Sequence, residues 1–166
     1  MALVRLPGCA IIAAPMEHER WMREALAEAR AAAAIGEVPV GAVVVVDDRV
    51  VGRGHNLTRL WRDATAHAEM LAMRQAMAAM GAERLAGCDL YCTLEPCAMC
   101  AGAMVLARVD TLVFGARDPK AGAAGSVHDL VRSPWLNHRI KVVAGVLAEP
   151  SGELLSAFFA QLRAGS

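Results

Sequence analysis

Two short stretches hold the residues best suited to metal and proton chemistry: Thr65-Ala66-His67-Ala68-Glu69 and Glu95-Pro96-Cys97-Ala98-Met99-Cys100. Zinc takes nitrogen and sulfur ligands tetrahedrally, and a catalytic site draws three from the protein and keeps a fourth position for water. His67, Cys97 and Cys100 make one such set. A C-x-x-C pair alone serves equally as a redox pair, a structural zinc knuckle or two core thiols. A closed structural site needs a fourth ligand, and Cys88 and Cys92, the nearest in sequence, sit where a strand buries ordinary thiols.

Spacing says how these side chains must be presented. Cys97 and Cys100, three apart, share one side of a helix, and the unpaired N–H groups and positive end of that helix favour thiolates. Pro96 fits its first turn. His67 and Glu69, two apart, are separated by about 200° of rotation at 3.6 residues per turn. They face one cation only from a helix's first turn, with the metal beyond its N-terminus and Glu69 beside the open position. Thr65 is the expected N-cap. Two helix N-termini therefore converge on one metal.

The elements that would carry them read as follows. Residues 16–35 are Ala-rich helix formers ending at Gly36. Val40–Val46 and Arg49–Gly54 flank Asp47-Asp48 as a hairpin. Residues 66–80 form a helix whose Met70, Met73, Met77 and Met80 make a core-facing stripe. Asp89–Leu94, Thr111–Gly115 and Ile140–Leu147 read as strands and Cys97–Ala107 as a helix. A helical turn is expected near Val127–Arg132. The closing helix, Ser151–Arg163, sets Leu154, Leu155, Phe158, Phe159 and Leu162 on its apolar face. This alternation predicts an α/β fold, a mixed sheet with helices on both faces. The helix at 97–107 is apolar nearly all round, so it is deeply buried or lies in a subunit interface.

Bulk composition narrows the class. The 166 residues suit one domain, 16–166, behind a loose N-terminal extension over 1–15 or an upstream start before Met16. Hydrophobic residues reach 56% but aromatics only 4%, so the core is small and aliphatic. Net charge is zero, which removes the usual basic advertisement of a nucleic-acid partner. The cations are almost all Arg, with Lys120 and Lys141 the exceptions. Arg windows occur at Arg49, Arg53, Arg59 and Arg62, and a second basic window at Arg132, His138, Arg139 and Lys141. No apolar run reaches the roughly 20 residues that span a bilayer, and the patch from Cys9 to Ala14 is too short for a signal peptide. Five cysteines without an export signal point to metal or core roles in a reducing, cytoplasmic setting.

His-x-Glu followed thirty residues on by Pro-Cys-x-x-Cys resembles the signature of the zinc-dependent nucleobase deaminases. That site alone is shared by cytidine, cytosine, guanine and riboflavin-pathway deaminases. Further stretches narrow the resemblance: Trp21-Met22-Arg23, Val38–Ala42, Gly54-His55-Asn56, Thr93–Gly102, Val113–Ser126 (VFGARDPKAGAAGS), Asn137-His138-Arg139 and Phe158-Phe159. Together these are similar to the bacterial tRNA-specific adenosine deaminases over about residues 16–163, with 113–126 the most specific part.

The resemblance implies a three-layer α-β-α sandwich around a mixed five-stranded sheet, as in the cytidine deaminase-like fold. It implies one Zn2+ per subunit and hydrolysis of adenosine to inosine at the wobble position of a tRNA anticodon, typically of an arginine tRNA. A zinc-activated water attacks the amino-bearing carbon of adenine, and Glu69 shuttles its proton. By family match Asn56 hydrogen-bonds the base, Val38 and Leu94 frame the pocket, and Ala66 and the Thr93–Glu95 backbone supply oxyanion-type contacts. Asp118 matches a contact to the neighbouring sugar–phosphate, and Lys120 and Arg139 contacts to the anticodon loop. A homodimer is also implied. Residues 57–64 depart from the family's proline-containing loop. The alternative class is a deaminase of a free base or nucleoside such as guanine, cytosine or cytidine.

Overall fold

A computed structural model of the chain describes residues 10–165. Its order is α1 (Ala10–Ala34), β1 (Gly41–Val46), β2 (Arg49–His55), α2 (Thr58–Trp61), α3 (Ala68–Met80), β3 (Asp89–Leu94), α4 (Ala98–Leu106), β4 (Thr111–Ala116), β5 (Lys141–Ala144) and α5 (Ala148–Ala164). Helix α1 begins six residues before the expected start at Met16. The loose extension expected over 1–15 lies largely outside the described residues.

The five strands form one sheet in the order β2-β1-β3-β4-β5. Strand β1 pairs antiparallel with β2 and β3, whereas β3–β4 and β4–β5 are parallel. Asp47 and Asp48 both take positive φ at the β1–β2 turn, the backbone a tight hairpin needs. Alternate side chains of the central strands enter two cores. Ala42, Val44, Leu90, Cys92, Leu112 and Phe114 join α3 and α4 on one face. Val43, Val45, Tyr91 and Val113 meet Trp21, Met22 and Ala25 of α1 on the other, where α5 also packs against β4. Both faces are covered, which is why these strands read as near-continuous apolar runs. The three layers are α1 and α5, the sheet, and α3 and α4.

Several expectations change. Residues 127–132 are turns with an isolated Ala124–Asp129 bridge rather than a helical turn. Strand β5 ends at Ala144, three residues short of Leu147, because Gly145 (φ 85°) and Leu147 (φ 50°) turn left-handed and launch α5. In α5 only Ser151 and Phe158 are buried, so Phe159 and Leu162 remain exposed. The methionine stripe is core-facing at Met73, with Met70 and Met77 packed beside it, but Met80 reaches the surface. Helix α4 buries Cys100, Ala101, Met104 and Val105 and leaves Leu106 77% exposed. It is therefore not enclosed within one chain.

One close approach positions the site. A Cβ on Gly54 would lie 2.4 Å from the Ala68 carbonyl oxygen and 2.7 Å from the Ala72 nitrogen. Only glycine lets the first turns of α3 press onto β2 this tightly. His67 and Glu69 are set against the sheet as a consequence.

Candidate metal centre and its pocket

The site lies at the carboxyl ends of the parallel strands, the usual ligand edge of an α/β sheet. Leu94 ends β3 and leads to Cys97, Ala116 ends β4 and leads to Lys120, and the start of α3 faces both. His67 is the N-cap of α3 (φ −77°, ψ 152°), which places Glu69 second in the helix. Cys97 is the N-cap of α4 (φ −73°, ψ 174°), with Cys100 in the first turn. Pro96 thus precedes the cap instead of opening the helix.

His67 Nδ1 stands 3.6 Å from Cys97 Sγ and 3.5 Å from Cys100 Sγ. The three ligand atoms lie within 4.8 Å of one another. A tetrahedral ion with sulfur at about 2.3 Å and nitrogen at about 2.0 Å would put its nitrogen–sulfur edges at about 3.5 Å. The donor set and its spacing fit such a metal, and no other metal-ligating group of three occurs among the described residues.

Electrostatics in the cluster follow from its hydrogen bonds. The Cys100 thiol and the His67 ring donate to Cys97 Sγ and hold its thiol down to about 3. Cys100 moves upward, because it donates the proton the sulfur pair shares and is largely desolvated. The hydrogen bond to Cys97 raises His67. Glu69 is 3% exposed, and burial pushes its carboxyl above the usual range, which suits a group that must both take and return a proton.

A pocket of about 280 Å³ opens onto this cluster, lined by Val38, Val40, Asn56, Thr58, His67, Glu69, Leu94, Glu95, Cys97, Asp118 and Ala121. The sequence-derived residues Val38, Asn56, Leu94 and Asp118 are all brought here. Asn56, 8% exposed, also does what Thr65 was expected to do. Its Oδ1 accepts from the Ala68 N–H at 3.0 Å, capping α3, while Thr65 turns to Asp63 through both its N–H and its hydroxyl. Asp118 Oδ1 accepts from the Lys120 and Ala121 N–H groups, a turn closed by its own side chain. Lys120 is exposed on the adjoining groove with Leu155 and Phe159.

Two other expected residues are placed differently. Ala66 is fully buried, its N–H donating to Asp63 O and its carbonyl accepting from Leu57 N–H, so its backbone is committed within the chain. Arg139 precedes β5, whose Lys141 pairs with Thr111 at the far end of β4. Five residue steps, roughly 16 Å at 3.3 Å each, separate that end from Ala116, so Arg139 does not reach its own chain's pocket. The basic windows are also partly consumed: Arg53 pairs with Glu24, Arg132 with Asp129, and Arg59 donates to Gly36 O.

Two buried carboxylates have structural roles that the sequence did not reveal. Glu37 accepts from Leu60 N–H at 2.7 Å and Thr58 Oγ1 at 3.4 Å, anchoring α2 at the pocket mouth. Glu95 accepts from Ser126 Oγ and from the N–H groups of Asp118, Ala124 and Ser126. Burial alone would raise its carboxyl, but these donors hold it below the usual range.

The donor set could hold a metal, and the buried carboxyl that lines the same pocket suits proton transfer. Residues 16–163 match the family model of the MafB19-like deaminases, and the chain belongs to that family. A tRNA-specific adenosine deaminase of Bacillus subtilis (strain 168) is 50% identical over 147 residues, which is 89% of this chain and 91% of the relative. A structure from studies of A-to-I editing by tRNA:A34 deaminases at the wobble position of transfer RNA superposes with a TM-score of 0.79 at 48% identity. It covers 82% of this chain and 99% of its own. NE0047 in complex with 2,6-diaminopurine matches at 28% identity and a TM-score of 0.72, over 86% of this chain and 82% of its own. By its identity to such relatives, the chain belongs to the family of the tRNA-specific adenosine deaminases.

Proposed function

We propose that the protein hydrolyses adenosine to inosine at the wobble position of a tRNA anticodon, an arginine tRNA being the expected substrate, with one Zn2+ held by His67, Cys97 and Cys100. The observation that carries this reading is that His67, Cys97, Glu69 and Asn56 all line one pocket. Zinc, when bound there, supplies the Lewis acidity that makes water a competent nucleophile at neutral pH.

The chain's own residues do the rest. Glu69 takes a proton from the attacking water, hands it to the ring nitrogen of adenine and assists the departure of ammonia. With its Oδ1 committed to α3, Asn56 offers the base its amide N–H2. Val38 and Leu94 close on the two faces of the ring and limit water. Asp118 and Lys120 meet the flanking sugar–phosphate at the rim. A flipped loop base needs this local shape and pairing more than a global positive field, which reconciles the activity with zero net charge.

The protein acts as a homodimer in the cytoplasm on this reading. Exposed Leu60, Trp61, Leu106 and Trp135 supply apolar surface for a second copy, and Arg139 then serves the RNA from outside its own pocket. No helix among the described residues is long and apolar enough to cross a membrane.

The free-base alternative is less supported, since the relative at about half identity acts on tRNA. A substrate panel separates the two. An anticodon stem-loop with adenosine at the wobble position is expected to yield inosine. The same stem-loop with cytidine, together with free guanine, cytosine and cytidine, is expected to remain unchanged by mass spectrometry. Conversion of a free base at comparable efficiency would overturn the tRNA assignment.

A further inference from the structure

We infer that Glu95 is a positioning residue that clamps the 118–126 loop onto the metal-bearing segment, and so fixes Asp118 and Lys120 at the pocket rim. This rests on the reading of those two residues as substrate contacts.

Glu95 is 1% exposed and is not among the metal-ligand group. A buried carboxylate is tolerated only when its oxygens are satisfied. Among the described residues the satisfying groups are hydrogen-bond donors and not a cation. All of its side-chain donors come from one distant loop: Asp118 N–H at 3.1 Å and Ser126 Oγ on Oε2, and Ala124 N–H at 3.1 Å and Ser126 N–H at 3.0 Å on Oε1. A carboxylate serving only its own strand would draw its donors locally.

The loop is pressed against the acid as closely as atoms allow. A Cβ on Gly122 would lie 2.5 Å from Glu95 Cδ and 2.6 Å from its Oε2. The flanking backbone is tied as well, by Ala123 N–H to Pro96 O at 2.8 Å and by the Cys97–Gly122 bridge. Asp118 is then held at two points, its N–H on Glu95 and its Oδ1 on Lys120 and Ala121. The residue two before Cys97 thus sets where the rim stands relative to the candidate metal ligands.

Glutamine keeps the shape of Glu95 but replaces one acceptor oxygen with a donor, so two loop donors lose their partner. In the full-length zinc-loaded enzyme, Glu95→Gln is expected to raise KM for the anticodon stem-loop about 10-fold or more, as expected for loss of a charge-assisted acceptor. Turnover number and zinc content should change little. Amide exchange should quicken at Asp118, Ala124 and Ser126 but not in β1 or β3. In an Asp118→Ala background Glu95→Gln should add almost nothing, the sign of action through the same loop. Ser126→Ala, which removes one donor and is gentler on folding, should move KM and loop exchange in the same direction by less.

Unchanged KM and unchanged loop exchange in both variants would overturn the inference, as would full additivity with Asp118→Ala. If Glu95→Gln fails to fold, Ser126→Ala decides by the same two readouts. A wild-type protein without turnover on the stem-loop would instead refute the proposed substrate, while the exchange experiment would still report whether Glu95 holds the loop.

Discussion

Glu69→Gln is expected to keep its zinc and its melting temperature while turnover on an anticodon stem-loop falls by roughly 10²–10⁴-fold, the range associated with a positioned acid–base group. The glutamine is nearly isosteric, and Glu69 is not one of the three ligand residues, so metal binding has no reason to change. The lost function is proton transfer alone. Burial already raises the Glu69 carboxyl, which brings its proton affinity closer to the water and ring nitrogen it must serve. Metal analysis beside single-turnover kinetics checks this. Undiminished turnover would assign the proton to another group, and loss of zinc would make Glu69 a ligand.

The second large effect is on the metal itself. Cys97→Ala or His67→Ala is expected to abolish both zinc binding and activity, and to lower stability to that of chelator-treated wild type. Binding to the folded state stabilises by RT ln(1 + [L]/Kd), about 3–4 kcal/mol at free zinc of roughly 100–1,000 times Kd. For a chain of this size that corresponds to a fall in Tm of roughly 6–16 °C. Both residues are helix N-caps without a side-chain cap bond, so their removal costs the metal and little else in the helix. Thermal melts with and without chelator check the expectation. A variant retaining full zinc and the wild-type Tm would refute the ligand assignment.

The meeting of His67, Cys97 and Cys100 beside Glu69 was legible because spacing in a first helical turn constrains direction before any tertiary contact is known. Helices on both faces of the sheet were legible as well, from the alternation of strands and helices after the opening hairpin. What was hidden depended on which distant groups meet. Thr65 looked like a cap, but the chain returns Asn56 to Ala68 and leaves Thr65 to Asp63. Glu95 looked like one more polar motif residue, because nothing local reveals four donors arriving from the 118–126 loop. Arg139 stood in a family-like motif, and only strand register placed it at the far end of β4. A helical turn was expected near 127–132, yet the 122–130 segment is held by bridges and by hydrogen bonds back to Gly122 and Ala123. Helix α4 is apolar on a face that its own chain leaves open, so composition alone could not distinguish burial from an interface.

The central claim is that one metal at the meeting of two helix N-termini, with Glu69 beside it, deaminates a tRNA adenosine. Its most direct test is to strip the metal and return zinc in measured steps while following inosine formation in an anticodon stem-loop. Inosine formation should be absent in the stripped protein and rise with zinc to saturate at one ion per chain. Equal inosine formation without metal, or none at full zinc occupancy, would contradict the account.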